Sequence, residues 1–299
     1  MVKKKRWGKK YEDKRNWKEY NKKLVKRGEF YINPRFLDTW NKEIREMNSG
    51  KVGQPYLYPN SMVEFLAILH SKGFDYRALQ GILQALSNKL GGFPVIVYSQ
   101  IRRRSMKLPM GFKPKTNHLA VASDSSGIKV SNRGDWIREK WDERRGWIKA
   151  VIMGDTEGNI VDVRIGNEDL DENASSRGML RNNHESIDRF LGDGWYDAKE
   201  NFALLNQLGI EPVIKIRSNA STNADGCMAR KKEVLSYKEL GYKKWAKEKG
   251  YGMRWPASEG ILSAVKRIFG ESVRSHKKRN MYHEAKEKFW TYQQLKDRS

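Results

Sequence analysis

Three acids sit in surroundings suited to metal-assisted chemistry on phosphate esters: Asp124 in HLAVASDSSGIKV, Asp193 in IDRFLGDGWYD and Glu259 in YGMRWPASEGILSAVK. Asp124 and Asp193 each close a short apolar run of the kind that forms a buried strand, and Glu259 opens a helix after Pro256 and Ser258. Two strand ends and one helix start would present carboxylate oxygens only, a hard donor set that selects Mg²⁺ or Mn²⁺. Each acid alone has a plainer explanation. Asp124 and Asp193 sit beside Ser and Gly as turn aspartates do, and Glu259 complements a helix dipole. Asp197, with Glu200 three residues on, reads as a helix capping box and stands outside the set. On the last helix, Ser263 and Lys266 share the face of Glu259, while Ile261, Leu262, Val265, Ile268 and Phe269 supply the buried side.

The string Tyr251, two residues, Arg254, four residues, Glu259, six residues, Lys266 resembles the signature of the DDE transposases of prokaryotic insertion sequences, which have three residues between the Arg and the Glu. The resemblance implies an α/β catalytic domain of the ribonuclease-H-like type, with a mixed sheet, preceded by a helical DNA-binding region. It implies two Mg²⁺ (or Mn²⁺) held by Asp124, Asp193 and Glu259, with Arg254 and Lys266 as phosphate clamps and Tyr251 as a backbone contact. The expected reaction is strand cleavage followed by joining of a 3′-hydroxyl to target DNA. The expected partners are the double-stranded element ends and the target, gripped by a homodimer on paired ends in a prokaryotic cytoplasm, on the nucleoid. Two rivals share part of the pattern. A nuclease of the same fold that only hydrolyses DNA would keep every acid, and a DNA-binding regulator with an inert second domain would keep only the helical region.

Composition points the same way. Lys and Arg number 59 against 36 Asp and Glu, a formal charge of +23, so the molecule projects a positive field toward polyanions. No apolar run reaches the length of a membrane span, no stretch has the broad apolar face of a membrane-surface helix, and the basic start MVKKKRWGKK is not followed by the apolar segment of a secretory signal. The single cysteine, Cys227, excludes an internal disulfide and a cysteine-rich zinc site and points to a reducing compartment.

The elements that must position these residues follow from periodicity. Residues 1–27 interleave cations with Trp7, Trp17 and Tyr20, either an arm along a phosphate backbone or a solvated face. Helices are expected over 33–47, from 60 to Gly73, over 76–90 and over 98–108, and the last three have the makings of a helix-turn-helix. Its third segment, YSQIRRRSMKL, would offer Arg102, Arg103, Arg104 and Lys107 to DNA around an Ile101 anchor. KLPMGFKPKTN sets a boundary near 112, giving a helical DNA-binding region over 1–112 and a catalytic domain over 113–299. In the second part, strands are expected over 118–130 (broken by SSG), 147–153, 159–165, 187–191 and 212–216, with helices over 171–185 and 198–208. Residues 217–250 read as a polar, irregular insertion that DNA would order, and Trp195 as a core tryptophan more simply than as a base-stacking one. The tail is basic through Lys278 and then shows a stripe of Met281, Ala285, Phe289 and Tyr292, a helix on the domain's edge.

Overall fold

The computed structural model describes residues 16–32, 34–130, 146–223 and 226–297. The expected N-terminal arm, with Trp7, lies mostly outside them; its described part is α1 (Trp17–Tyr31), capped by the Asn16 side chain. Next come α2 (Phe36–Asn48), α3 (Asn60–Ser71), α4 (Tyr76–Leu90) and α5 (Tyr98–Ser105). Phe36, Met62, Leu66, Leu79, Leu83, Ile96 and Ile101 form their common core, so Ile101 anchors α5 as its spacing requires. Helix α5 stops earlier than periodicity suggests, because Pro109 disfavours helical backbone in the residue before it.

The second part is a mixed sheet in the order β3-β2-β1-β4-β5, built from β1 (Leu119–Val130), β2 (Trp147–Asp155), β3 (Ile160–Asn167), β4 (Ile187–Gly192) and β5 (Glu211–Ile214). β1, β2 and β3 are antiparallel neighbours, whereas β4 and β5 run parallel to β1, the arrangement that the resemblance implies. A sixth strand of two residues, β6 (Ser272–Val273), adds to the far end of β1. The break expected at SSG is absent. Ser125, Ser126 and Gly127 pair with Val151, Ala150 and Lys149 of β2, so a continuous ladder overrides the local turn preference and Asp124 is mid-strand.

Helices α6 (Glu172–Asn183) and α7 (Lys199–Leu208) cover one face, closing a core with Val121, Met153, Met179, Phe190 and Phe202. The insertion is not irregular. It carries α8 (Met228–Glu248), which turns at Gly241 (φ 68°) and buries Val234 and Trp245. Its many lysines and the phase change at Gly241 hide that apolar face from periodicity. Next come the short α9 (Arg254–Ala257), whose Ala257 packs with Ala122 and Leu191, and, on the other face of the sheet, α10 (Glu259–Phe269) and α11 (Lys278–Asp297), which pack on Ile128, Ile148, Ile152 and Val163.

The tail helix is not at an edge. The expected stripe of Met281, Ala285 and Phe289 meets the sheet side, while Trp290 clusters with Ala67 and Ile68 of α3 and with Met110. Fully buried Glu287 receives His70 Nδ1 at 2.7 Å, and the Ser71 hydroxyl donates to Thr291 Oγ1 at 3.0 Å. These polar residues read as solvent-facing in sequence, which is why the second buried face was missed.

Candidate active site

β1 and β4 are in parallel register with Ala122 opposite Leu191, so Asp124 and Asp193, each two residues further on, reach the same level of the sheet. Beyond Ala122, β4 leaves the ladder, and β6 joins β1 only at Lys129 and Val130. A gap between two partners on one strand edge opens a crevice at the carboxyl end of the parallel strands. Ala122 and Leu191 pack with Tyr251 and Ala257 in one cluster, and the two-residue period puts Asp124 on that same face.

The opposite side of the crevice comes from α9 and α10, separated by Ser258 with φ −136° and ψ −75°. The buried Ser258 hydroxyl donates to the Arg254 carbonyl at 3.0 Å. Across this break Arg254 Nη2 donates to Glu259 Oε1. The break can approach the sheet because β2 has Gly154 beneath it. A Cβ there would fall on Ile261 Cδ1 and on the Ala257 carbonyl. Asp124, Ser126, Glu259, Ser263 and Lys266 line one open groove, so the seven-residue step from Glu259 to Lys266 keeps both on one helical face.

Electrostatics set the acids apart. Burial, with the Glu172 and Glu259 charges acting the same way, pushes the Asp124 carboxyl up to about 6 against the Ser125 N–H bond and the Arg254 charge. Burial also pushes the Tyr251 hydroxyl up to about 12; its ring lies 5.8 Å from the Arg254 guanidinium carbon. Tyr251 is only 9% exposed, packed against Trp245, and so supports Arg254 from below.

Asp193 Oδ1 accepts the Trp195 N–H at 2.8 Å, a cap of the 3-10 turn Gly194–Tyr196. That turn sends Tyr196 inward and Trp195 outward, 60% exposed, so Trp195 is not a core tryptophan. Asp197 is no capping box either. It is buried and accepts Arg230 Nε at 2.7 Å and the Arg217 N–H at 3.0 Å, which ties the insertion to the domain.

One acid was not singled out in the sequence. Glu172, at the start of α6, accepts the Ser125 hydroxyl at 2.6 Å and the Tyr196 hydroxyl at 2.9 Å, with Lys149 Nζ at 3.7 Å. It therefore braces the segment of Asp124 against the turn that follows Asp193. A helix-start acid is too common a feature to have been picked out from sequence.

The carboxylate and hydroxyl oxygens of Asp124, Ser126 and Glu259 that line the groove are donors of the type a hard divalent cation takes, while Asp124 is half-buried and Glu259 is held by the Arg254 guanidinium. Among the described residues no three His, Cys, Asp or Glu side chains are gathered closely enough to hold a metal ion, and Asp193 Oδ1 is engaged in its own cap. Arg102 and Arg103 are exposed on α5 and Lys107 just past its end, away from this groove. Arg104 is different: it donates to the Tyr58 carbonyl and to Asn60 Oδ1 at 2.6 Å, pinning the loop before α3. Among the described residues no helix is long and apolar enough to cross a membrane.

Two family models, both described as "Transposase DDE domain", match the chain, one over residues 25–133 and the other over 115–292. Among solved structures, the chain is similar to a piggyBac transposase in a synaptic complex with hairpin DNA, at 8% identity and a TM-score of 0.37, covering 92% of this chain and 75% of that one. It is also similar to a chain of a simian T-cell lymphotropic virus intasome in complex with the PP2A regulatory subunit B56 gamma, at 13% identity and a TM-score of 0.25, covering 70% and 74%.

Proposed function

This chain belongs to the DDE transposases, and from that membership we propose that it cuts DNA at the ends of its own element and joins the freed 3′-hydroxyl to target DNA. The observation that carries the reading is the groove in which Asp124, Glu259 and Lys266 converge within the span of the matching family model. Asp124, Asp193 and Glu259 would hold two Mg²⁺ or Mn²⁺ once Asp193 turns from its cap toward the groove. Bound there, the cations would supply activation of the attacking hydroxyl and neutralisation of the leaving oxygen.

The chain's own groups do the remaining work. Arg254 holds Glu259 in place through their ion pair and, like Lys266, presents positive charge to the phosphates beside the scissile bond. Glu172 keeps β1 and the turn after β4 at a fixed separation through Ser125 and Tyr196. Residues 1–112 serve as the part that recognises the element ends, with Arg102, Arg103 and Lys107 reaching DNA and Arg104 shaping the loop beside them. The active form in this reading is a homodimer on paired ends, working on nucleoid DNA in a prokaryotic cytoplasm.

A strand-transfer assay with Mn²⁺ and duplexes carrying the DNA that flanks the coding sequence tests this. Cleavage with joining is the expected result. Cleavage without joining would make the protein a nuclease, and binding without either would leave a DNA-binding regulator.

A further inference from the structure

The cations at the C-terminal end of α5 have a facing wall. Arg102, Arg103 and, just past the helix, Lys107 line a groove whose other side is Lys277, from the segment that leads into α11, and Arg279 and Asn280 in the first turn of α11. That segment is fixed in place. The carboxylate of buried Glu284 accepts the backbone N–H groups of Arg274 and Ser275, both at 2.9 Å, and the Arg274 guanidinium donates to the carbonyls of Gly73 and, at 3.3 Å, His70 at the end of α3. Among the described residues, none of the five groove cations is in an ion pair with an acid. Five like charges on one cleft make it electropositive, although Arg102 and Lys277 also line the adjoining cleft with Asp75 and Glu284, and an anionic occupant running along the cleft would be attracted by all five.

We infer that this groove holds the sugar–phosphate backbone of a DNA duplex, gripped by α5 on one side and by Lys277 and Arg279 on the other, with the Asn280 amide as a neutral donor. A segment far along the chain, next to the catalytic fold, thus shares the duplex that the helical region recognises. The inference rests on the reading of α5 as DNA-binding and adds its second wall and the residues that form it.

Acetylation of exposed lysines on the full chain, read by mass spectrometry with and without a short mixed-sequence DNA duplex, tests it directly. Lys107 and Lys277 should be protected together. Lys277→Ala with Arg279→Ala should lower the slope of log Kd against log salt by about two, at roughly 0.9 per lost phosphate contact, with the circular dichroism spectrum unchanged. Protection of Lys107 while Lys277 reacts as in the free chain, with an unchanged slope, would overturn the second wall and leave α5 acting alone. Protection spread evenly over exposed lysines, Lys243 and Lys247 of α8 included, would overturn it too, because it marks a diffuse charge effect. A chain that binds no duplex under any salt condition would sink the DNA-binding reading itself along with the groove.

Discussion

At Asp124, burial and two neighbouring acids oppose ionisation, and this has a consequence for stability as well as catalysis. A carboxyl whose folded pKa is raised favours folding in its protonated form. That contribution is complete below the ordinary value of 3.8 and is lost as pH rises through about 6. Asp124→Asn should therefore stabilise the metal-free protein above pH 6, by on the order of 1–2 kcal/mol after discounting for partial exposure, with the gain disappearing toward pH 4. Urea denaturation at the two pH values measures it; an equal midpoint at pH 8 would mean that Arg254 already neutralises the carboxylate. The same variant should lose Mn²⁺-dependent cleavage while still binding DNA, because α5 is untouched. Lys266 makes the complementary case. It lines the groove with Asp124 and Glu259, so Lys266→Ala should reduce cleavage and flatten the salt dependence of binding to cut ends by about one phosphate contact. Full activity with an unchanged slope would reduce Lys266 to a surface residue.

The elements show which parts of this arrangement are local and which depend on packing. Gly154→Ala should cost about 1–3 kcal/mol, as overpacking does, because the new methyl meets the Ala257 carbonyl and Ile261 beneath the helix break. By moving that break it should also part Arg254 from Glu259 and lower the cleavage rate in protein that remains folded, as measured under conditions well below the unfolding midpoint. The sequence made the β2–β3 hairpin, the strand and helix order and the three helices α3 to α5 legible, since alternation, caps and turn residues are properties of short stretches. Asp124 read as a strand end because pairing of Ser125 to Gly127 with β2 is not a local property. The lysines of α8 masked Val234 and Trp245, and Trp195 was misjudged because the direction of a 3-10 turn decides which of two adjacent aromatics is buried. In the site, the Tyr, Arg, Glu, Lys string was readable from spacing, but the Ser258 break between Arg254 and Glu259, and the brace formed by Glu172, exist only once the chain is packed.

For the whole molecule, the question is whether the boundary read near residue 112 divides the chain physically. Helix α11 belongs to the second part by sequence, yet its outer face is completed by α3: Trp290 with Ala67 and Ile68, Thr291 with Ser71, Glu287 with His70. Burial pushes the Glu287 carboxyl up, but the charges of His70 and His283 outweigh it and hold it below the usual carboxylate range. Such a group contributes stability above the ordinary carboxylate range, a contribution lost as pH falls through its lowered value. Removing residues 1–112 would take away His70 together with the apolar cover of Trp290, and each large side chain uncovered costs roughly 1.5–3 kcal/mol. The 113–299 fragment should therefore unfold at a lower urea concentration than the full chain and with reduced cooperativity, although every acid of the groove is present in it. Adding back the separate 1–112 fragment should raise the midpoint again if the two surfaces recognise each other. A 113–299 fragment that unfolds in one step at the midpoint of the full chain would show instead that α11 needs no cover from α3, and that the two parts are independent folding units.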